Sequence, residues 1–185
     1  MVDKEKIKEL THEFLLAIGE NPDREGLVDT PRRVADMCDE LLNTERNCVS
    51  YTSFDSDNYD GIVLIKDIDF SSICEHHLMP FIGKISIAYI PSDEVLGISK
   101  FARIVDKHAK KLQIQERLAK QILLDVQESI SPKGVAIYIE AKHLCMNIRG
   151  IKRKDASTIT TLYSGEFKTT NMQNVFINII KCEKK

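Results

Sequence analysis

The apolar positions near the start of the chain follow a helical rhythm. Ile7, Leu10, Phe14 and Ile18 recur at three- and four-residue spacing with charged residues between them. This predicts an amphipathic helix over residues 4–18, ended by Gly19 and Pro22. A second helix is predicted from Thr30-Pro31, with Thr30 as the cap and Pro31 at the first helical position, where a missing N–H leaves no partner unmet. Its apolar stripe is Val34, Met37, Cys38 and Leu41. Residues 43–60 are rich in Asn, Ser, Asp and Tyr and read as a loop or linker.

From Gly61 the pattern changes. Ile62-Val63-Leu64-Ile65 and Ile68-Asp69-Phe70 read as strand, and Lys84 to Ile90 alternates and stops at Pro91, as a half-buried strand does. Two helices follow. The first, about Ser99 to Lys111, carries Phe101, Ile104, Val105 and His108. The second carries Ile114, Leu118, Ile122, Val126 and Ile130, a four-residue stripe. Gly134 to Glu140 returns to strand, Ser157 to Tyr163 reads as a final strand, and Met172, Phe176, Ile179 and Ile180 mark a C-terminal helix. The order is two helices, then ββααββ, then a helix. The class is α+β, with residues 1–60 as an N-terminal helical arm and linker and 61–185 as the main domain.

Composition narrows the function. The 185 residues are 43% hydrophobic, enough for one real core, and the net charge of −2 gives no bulk attraction to nucleic acid. No apolar run approaches a membrane span, and the charged start Met1-Val2-Asp3-Lys4-Glu5-Lys6 leads into no signal-like apolar segment. Five cysteines are too few and too scattered for a disulfide framework, so a reducing cytoplasm with free thiols is expected.

Two of those thiols lie beside histidines. Cys74-Glu75-His76-His77 puts a thiol and an imidazole at i and i+3, within one turn of backbone, and His143-Leu144-Cys145 repeats the pairing. Cys74, His77 and Cys145 make a three-ligand set for zinc. That number leaves a fourth position for water or substrate, whereas structural zinc normally takes four protein ligands. His76 and His143 are then free for proton transfer near neutral pH. The competing explanation for the first cluster is a packing role, since Cys is often a small buried hydrophobe. The second cluster, also at a strand edge, weighs against it. Cys38 sits on a helix stripe and reads as core. Cys48 and Cys182 have no neighbouring His and receive no role. His12 and His108 are lone helical histidines, expected at the surface or in packing.

Basic residues gather near turns and helix starts: Arg33, Lys100 and Arg103 beside Ser99, and Arg149 shortly after Cys145. A phosphate is held by such a mixture of cations, hydroxyls and helix N-terminal amides, though each residue alone reads more readily as solvated charge. Gln115-Glu116 opens a helix, where a carboxylate is favoured by the helix dipole, and also suits the N–H edge of a guanine.

Taken together, these segments resemble GTP cyclohydrolase I. The resemblance runs from Asp29 onward through Asp29-Thr30-Pro31-Arg32-Arg33-Val34-Ala35, Cys74-Glu75-His76-His77-Leu78-Met79-Pro80-Phe81, Ala88-Tyr89-Ile90-Pro91 and Gly97-Ile98-Ser99-Lys100. It continues through Gln113-Ile114-Gln115-Glu116-Arg117-Leu118, His143-Leu144-Cys145-Met146, Arg149-Gly150 and Gly165-Glu166-Phe167. It implies the tunnelling fold (T-fold) and a homodecamer of two pentameric rings with active sites at subunit interfaces. It also implies conversion of GTP and water to 7,8-dihydroneopterin triphosphate and formate, the entry to tetrahydrofolate. By position, it implies zinc on Cys74, His77 and Cys145 activating the water that attacks C8, His143 protonating N7, and His76 assisting ring opening. Ser99 would act near the ribose, and Glu116 with Gln115 would hold the guanine. Arg33, Lys100, Arg103 and Arg149 would hold the triphosphate, with Lys111 a weaker candidate. Two departures are visible. Asp36 stands where some members carry a second basic residue, and Lys110-Lys111-Leu112 stands where many have an arginine. A nitrile reductase of the same fold would rely on a nucleophilic Cys and NADPH and need no such ligand set. A non-catalytic zinc-stabilised protein would need neither His76 nor His143.

Overall fold

A computed structural model describes residues 2–43 and 50–182, so Cys48 lies outside the described residues. The chain divides into two compact units, residues 1–46 and 47–185.

The first unit is a pair of helices packed on each other, α1 (Lys4–Ala17) and α2 (Thr30–Leu42), with Leu15 and Ala35 buried. The Asp3 carboxylate caps α1 by accepting from the Lys6 N–H at 2.9 Å. In α2 the capping position is Asp29 rather than the Thr30 expected from sequence, because Thr30 is already helical. The Asp29 carboxylate lies 3.5 Å from both Arg32 and Arg33 instead of bonding a backbone N–H. Asp36 pairs with Lys4 and Arg32, and Lys4 holds its carboxyl below the usual range.

The second unit is built on a five-stranded sheet. Its strands are β2 (Val63–Cys74), β3 (Met79–Ile90), β5 (Leu112–Gln113), β6 (Gly134–His143) and β7 (Thr158–Tyr163), ordered β5-β2-β3-β6-β7. All neighbours are antiparallel except β2 and β5. Two pieces lie within residues 43–60 and beyond Pro91 where the sequence predicts only loop. They are β1 (Ser53–Asp55) and β4 (Glu94–Leu96), which pair with each other. Between β4 and β6 run α3 (Ile98–Ala109) and α4 (Gln115–Ile130). A short helix α5 (Leu144–Asn147) follows β6, and α6 (Thr170–Lys181) ends the unit.

Strand alternation decides which face each helix covers. Ile85, Ile87 and Tyr89 of β3, with Ile137 and Ile139 of β6, pack against Phe101, Ile104 and Val105 of α3 and Leu118, Ile122 and Val126 of α4. Ala88, Ile90 and Ala136 on the opposite face pack against Phe167 and Phe176. That second cover reaches only one end of β3. At the other end Ile82 and Lys84 on the same face are exposed. No helix among the described residues is long and apolar enough to cross a membrane.

His108 and Asp125 tie α3 to α4, with His108 Nε2 and Lys107 Nζ each 2.7 Å from Asp125 Oδ2. The lone histidine expected at the surface or in packing therefore has a buried ionisable partner. Burial, helped by Lys111 and Lys107, lowers His108 to about 4 from 6.5. Burial raises Asp125 to about 6 from 3.8, aided by Glu128 and outweighing the nearby Lys107 ammonium. His108 therefore contributes stability above pH 6.5 that is lost as pH falls toward 4. Asp125 contributes stability below pH 3.8 that is lost as pH rises through 6. Across the shared window the two oppose, because folded and unfolded pairs each hold one proton. Asp125→Asn is expected to unmask the histidine. Its urea midpoint should fall more steeply than that of the wild type as pH drops from 6.5 to 4, the window set by His108. Parallel pH profiles would contradict this account of the pair.

Candidate active site

Register brings the two Cys/His clusters together. β2 ends on Cys74, β3 begins on Met79, and these residues pair across the hairpin. The four residues between them, Glu75 to Leu78, close the turn, with the Leu78 N–H donating to the Cys74 carbonyl at 2.9 Å. Leu78 takes φ +52, a left-handed conformation that reverses the chain and leaves its side chain exposed. Two residues into β3, Phe81 pairs with His143, the last residue of β6. The chain then turns directly into α5, which carries Cys145. On the other side β5 runs parallel to the end of β2, with Gln113 beside Cys74, and delivers Gln115, Glu116 and Arg117 as the first residues of α4. Four chain segments thus converge at one end of the sheet.

At that end the donor atoms of Cys74, His77 and Cys145 all lie within 4.8 Å of one another. Two thiolates bound to one zinc at about 2.3 Å in a tetrahedral sphere sit about 3.8 Å apart, so small side-chain adjustments suffice to close the set. Both thiols are free. Cys74 is buried, Cys145 half-buried and His77 exposed, so the cluster is sealed from below and open on the imidazole side. Burial first, then the neighbouring Cys74 sulfur, pushes the Cys145 thiol up, while Arg149 pulls it down. A divalent cation between the sulfurs reverses that preference, because both then bind as thiolates. Among the described residues the converging set has three members and can bind a metal ion with a position to spare.

The proton-transfer candidates stand beside the set. His76 is exposed, its Nδ1 is 3.7 Å from the Cys74 sulfur, and its ring centroid is 6.2 Å from that of His77. His143 is half-buried and stacked flat on Phe81, with centroids 4.7 Å apart and planes 3° from parallel. Burial lowers the His143 pKa, and the negative charge of Glu116 opposes that. Gln115 is only 2% exposed, and its Oε1 lies 2.9 Å from His143 Nε2. Glu75, unassigned in the sequence reading, forms a two-pronged ion pair with Arg117, which holds its carboxyl below the usual range and ties the hairpin turn to α4. Phe81 and Arg117 likewise carry no role that their residue types announce. All three lie inside the quoted motifs, but only the register gives them partners.

The phosphate candidates are distributed more widely. Arg149 lies in the loop after α5, close enough to influence Cys145. Lys111 is at the cluster end, where burial and then Lys107 and Arg117 lower its pKa. Ser99, Lys100 and Arg103 occupy the first half of α3. The other end of that helix is anchored near the cluster, where the Ser72 hydroxyl donates to the Ala109 carbonyl at 2.7 Å. Ten residues of helix separate Ser99 from Ala109, a rise of about 15 Å. Within one chain, then, the serine is carried away from the cluster. Arg33 projects from the helical unit with its guanidinium 3.5 Å from Asp29 and its side chain 71% exposed.

Comparison with known proteins bears on this arrangement. The sequence model of the family described as GTP cyclohydrolase I matches residues 7–181. GTP cyclohydrolase 1 of Acetivibrio thermocellus is 49% identical over 173 residues, covering 91% of this chain and 92% of that protein. The protein of the same name from Thermoanaerobacter pseudethanolicus is 50% identical over 173 residues, with the same coverage. That from Streptococcus agalactiae is 47% identical over 172 residues, covering 91% of each. With a match along nearly its whole length and its Cys/His clusters drawn to one sheet end, the chain belongs to the GTP cyclohydrolase I family.

Proposed function

We propose that this chain opens the guanine ring of GTP at C8, releases that carbon as formate and leaves 7,8-dihydroneopterin triphosphate, the first step of tetrahydrofolate synthesis. The observation that carries the reading is the convergence of Cys74, His77 and Cys145, with His143 beside them, in a chain of this family. Zinc suits two thiolates and an imidazole, and when bound it supplies Lewis acidity and activates water near neutral pH.

The chain's own residues do the rest. His143, held against Phe81 with Glu116 nearby, delivers a proton to N7 and so makes C8 electrophilic. His76, exposed and adjacent to the Cys74 sulfur, moves protons as the ring opens and formate leaves. Glu116, at the N-terminus of α4, accepts hydrogen bonds from the guanine edge, with Gln115 beside it. Arg149, Lys100 and Arg103 hold the triphosphate, with Arg33 a further cation and Lys111 a weaker one. Ser99 acts near the ribose during the later rearrangement and ring closure. Binding energy from the phosphates positions the base over the reacting groups.

The fold reading is the T-fold, and the assembly reading is a cytoplasmic homodecamer of two pentamers. The outer side of β7 has no partner strand among the described residues, which supports edge-to-edge association. Ile98, next to Ser99, is 75% exposed, and Ile148 and Ile151, which flank Arg149, are 61% and 64% exposed. Apolar surface beside both groups of substrate residues supports a site completed by a second copy, whose α3 would bring the Ser99 group to this chain's cluster. The test is incubation of metal-loaded protein with GTP, followed by oxidation and fluorescence detection of neopterin. Fluorescent product is expected, and its absence from a sample with full metal content would sink the reading.

A further inference from the structure

The side chain of Gln115 is engaged entirely within the protein. Its Nε2 faces three oxygens: the Thr158 carbonyl and Thr160 Oγ1 of β7, each at 3.0 Å, and the Ile139 carbonyl of β6 at 3.3 Å. An amide nitrogen has two hydrogens to give and nothing to accept with, so this surrounding fixes which end of the amide is which. Oε1 is therefore the atom turned to His143 Nε2 at 2.9 Å. A carbonyl oxygen only accepts, and the histidine nitrogen must carry the hydrogen. The Phe81 stack fixes the plane of the same ring. One neighbour thus sets the tilt of the imidazole and the other its rotation within the plane.

We propose that Gln115 is a positioning residue that locks His143 with its hydrogen on Nε2, so that Nδ1 is the atom that gains and loses the catalytic proton. This rests on the cyclohydrolase reading and assigns Gln115 to the histidine instead of the guanine. Nδ1 makes no hydrogen bond among the described residues, yet it is not sealed from solvent. Nε2 keeps its hydrogen in both the neutral ring and the imidazolium, because Gln115 Oε1 accepts from it in either state. The proton cycle therefore closes at one atom. Nδ1 gives its proton to N7, which makes C8 electrophilic, and regains the one released as water adds to C8, so the ring ends in the form in which it began and no electrons change hands. The three oxygens that orient Gln115 lie on the last two strands of the sheet, so the outermost strand β7 helps to set the histidine from behind.

The test uses the metal-loaded protein labelled with 15N in its histidines, of which the chain has five. Subtracting the spectrum of His143→Asn isolates the ring in question. A pyrrole-type Nε2 and a pyridine-type Nδ1 are expected for neutral His143. Gln115→Met, close in size and unable to accept from Nε2, should mix the two tautomers. It should lower kcat by roughly 10- to 100-fold, the range typical of groups that orient a reactive imidazole, while KM for GTP stays within about twofold and metal content is unchanged. A hydrogen on Nδ1 in the wild type would overturn the proposal, as would an unchanged kcat in Gln115→Met. A raised KM at constant kcat would return Gln115 to the guanine. If Gln115→Met fails to fold, the wild-type spectrum still decides. The 15N result also stands apart from turnover, so a chain that does not act on GTP would leave the tautomer assignment testable.

Discussion

Cys145→Ala is expected to cost both the metal and the reaction. Cys145 sits on the four-residue helix α5 and is only half-buried, so its truncation removes little packing and the sheet should remain intact. What it does remove is one of three donors that lie within 4.8 Å of one another. The two remaining, Cys74 on β2 and His77 in the following turn, come from one hairpin and cannot enclose an ion alone. Lewis acidity is worth several kcal/mol to a hydrolytic transition state, and about 1.4 kcal/mol is tenfold in rate. The loss should therefore be on the order of 10³-fold or more. Metal analysis of the purified variant, alongside its turnover of GTP, checks this. A variant that keeps full metal and loses activity would mean that Cys145 is not a ligand.

His143→Ala should separate the two losses. The histidine lies beside the ligand set without belonging to it, held by Phe81 and Gln115. Its removal leaves all three donors in place, so metal content should match the wild type. Turnover should fall by about 10²- to 10⁴-fold, the usual contribution of a positioned acid or base. Loss of metal from His143→Ala would instead make the histidine a ligand and leave the proton to N7 without a donor.

The chemistry at the sheet end was more legible in the sequence than the reason for its assembly. Thiol–imidazole spacing in Cys74-Glu75-His76-His77 and His143-Leu144-Cys145 identifies two halves of a centre, because the donor types are specific to metals. Nothing in the spacing says that the halves meet. That follows from the pairing of Phe81 with His143, a register between strands more than fifty residues apart in the chain. The helices α3 and α4 were readable because each buries a stripe at helical spacing against one face of the sheet. In strands β2 and β3 the legible pattern stops short of the site. Ser71-Ser72 and Pro80, with Gly83 close against Ala141, interrupt the alternation just where the strands run on to the site. The pairing of β1 with β4 is not legible in the sequence, because three-residue strands carry no usable period.

Gln115 illustrates a different limit. A polar residue at the start of a helix, next to a glutamate suited to guanine, reads naturally as a substrate contact. Its burial depends on β7, whose Thr158 and Thr160 oxygens take up the amide from more than forty residues away. Sequence could find the helix start and the chemistry of the side chain, but not the direction in which it points.

The central claim is that the Cys74–His77–Cys145 centre and His143 together open a guanine ring at C8. Its most direct test is single-turnover reaction of the metal-loaded protein with GTP carrying an isotopic label at C8. One labelled formate is expected per GTP consumed, with an unlabelled pterin product and no release from metal-stripped protein. No labelled formate, or label retained in the product, would contradict the account.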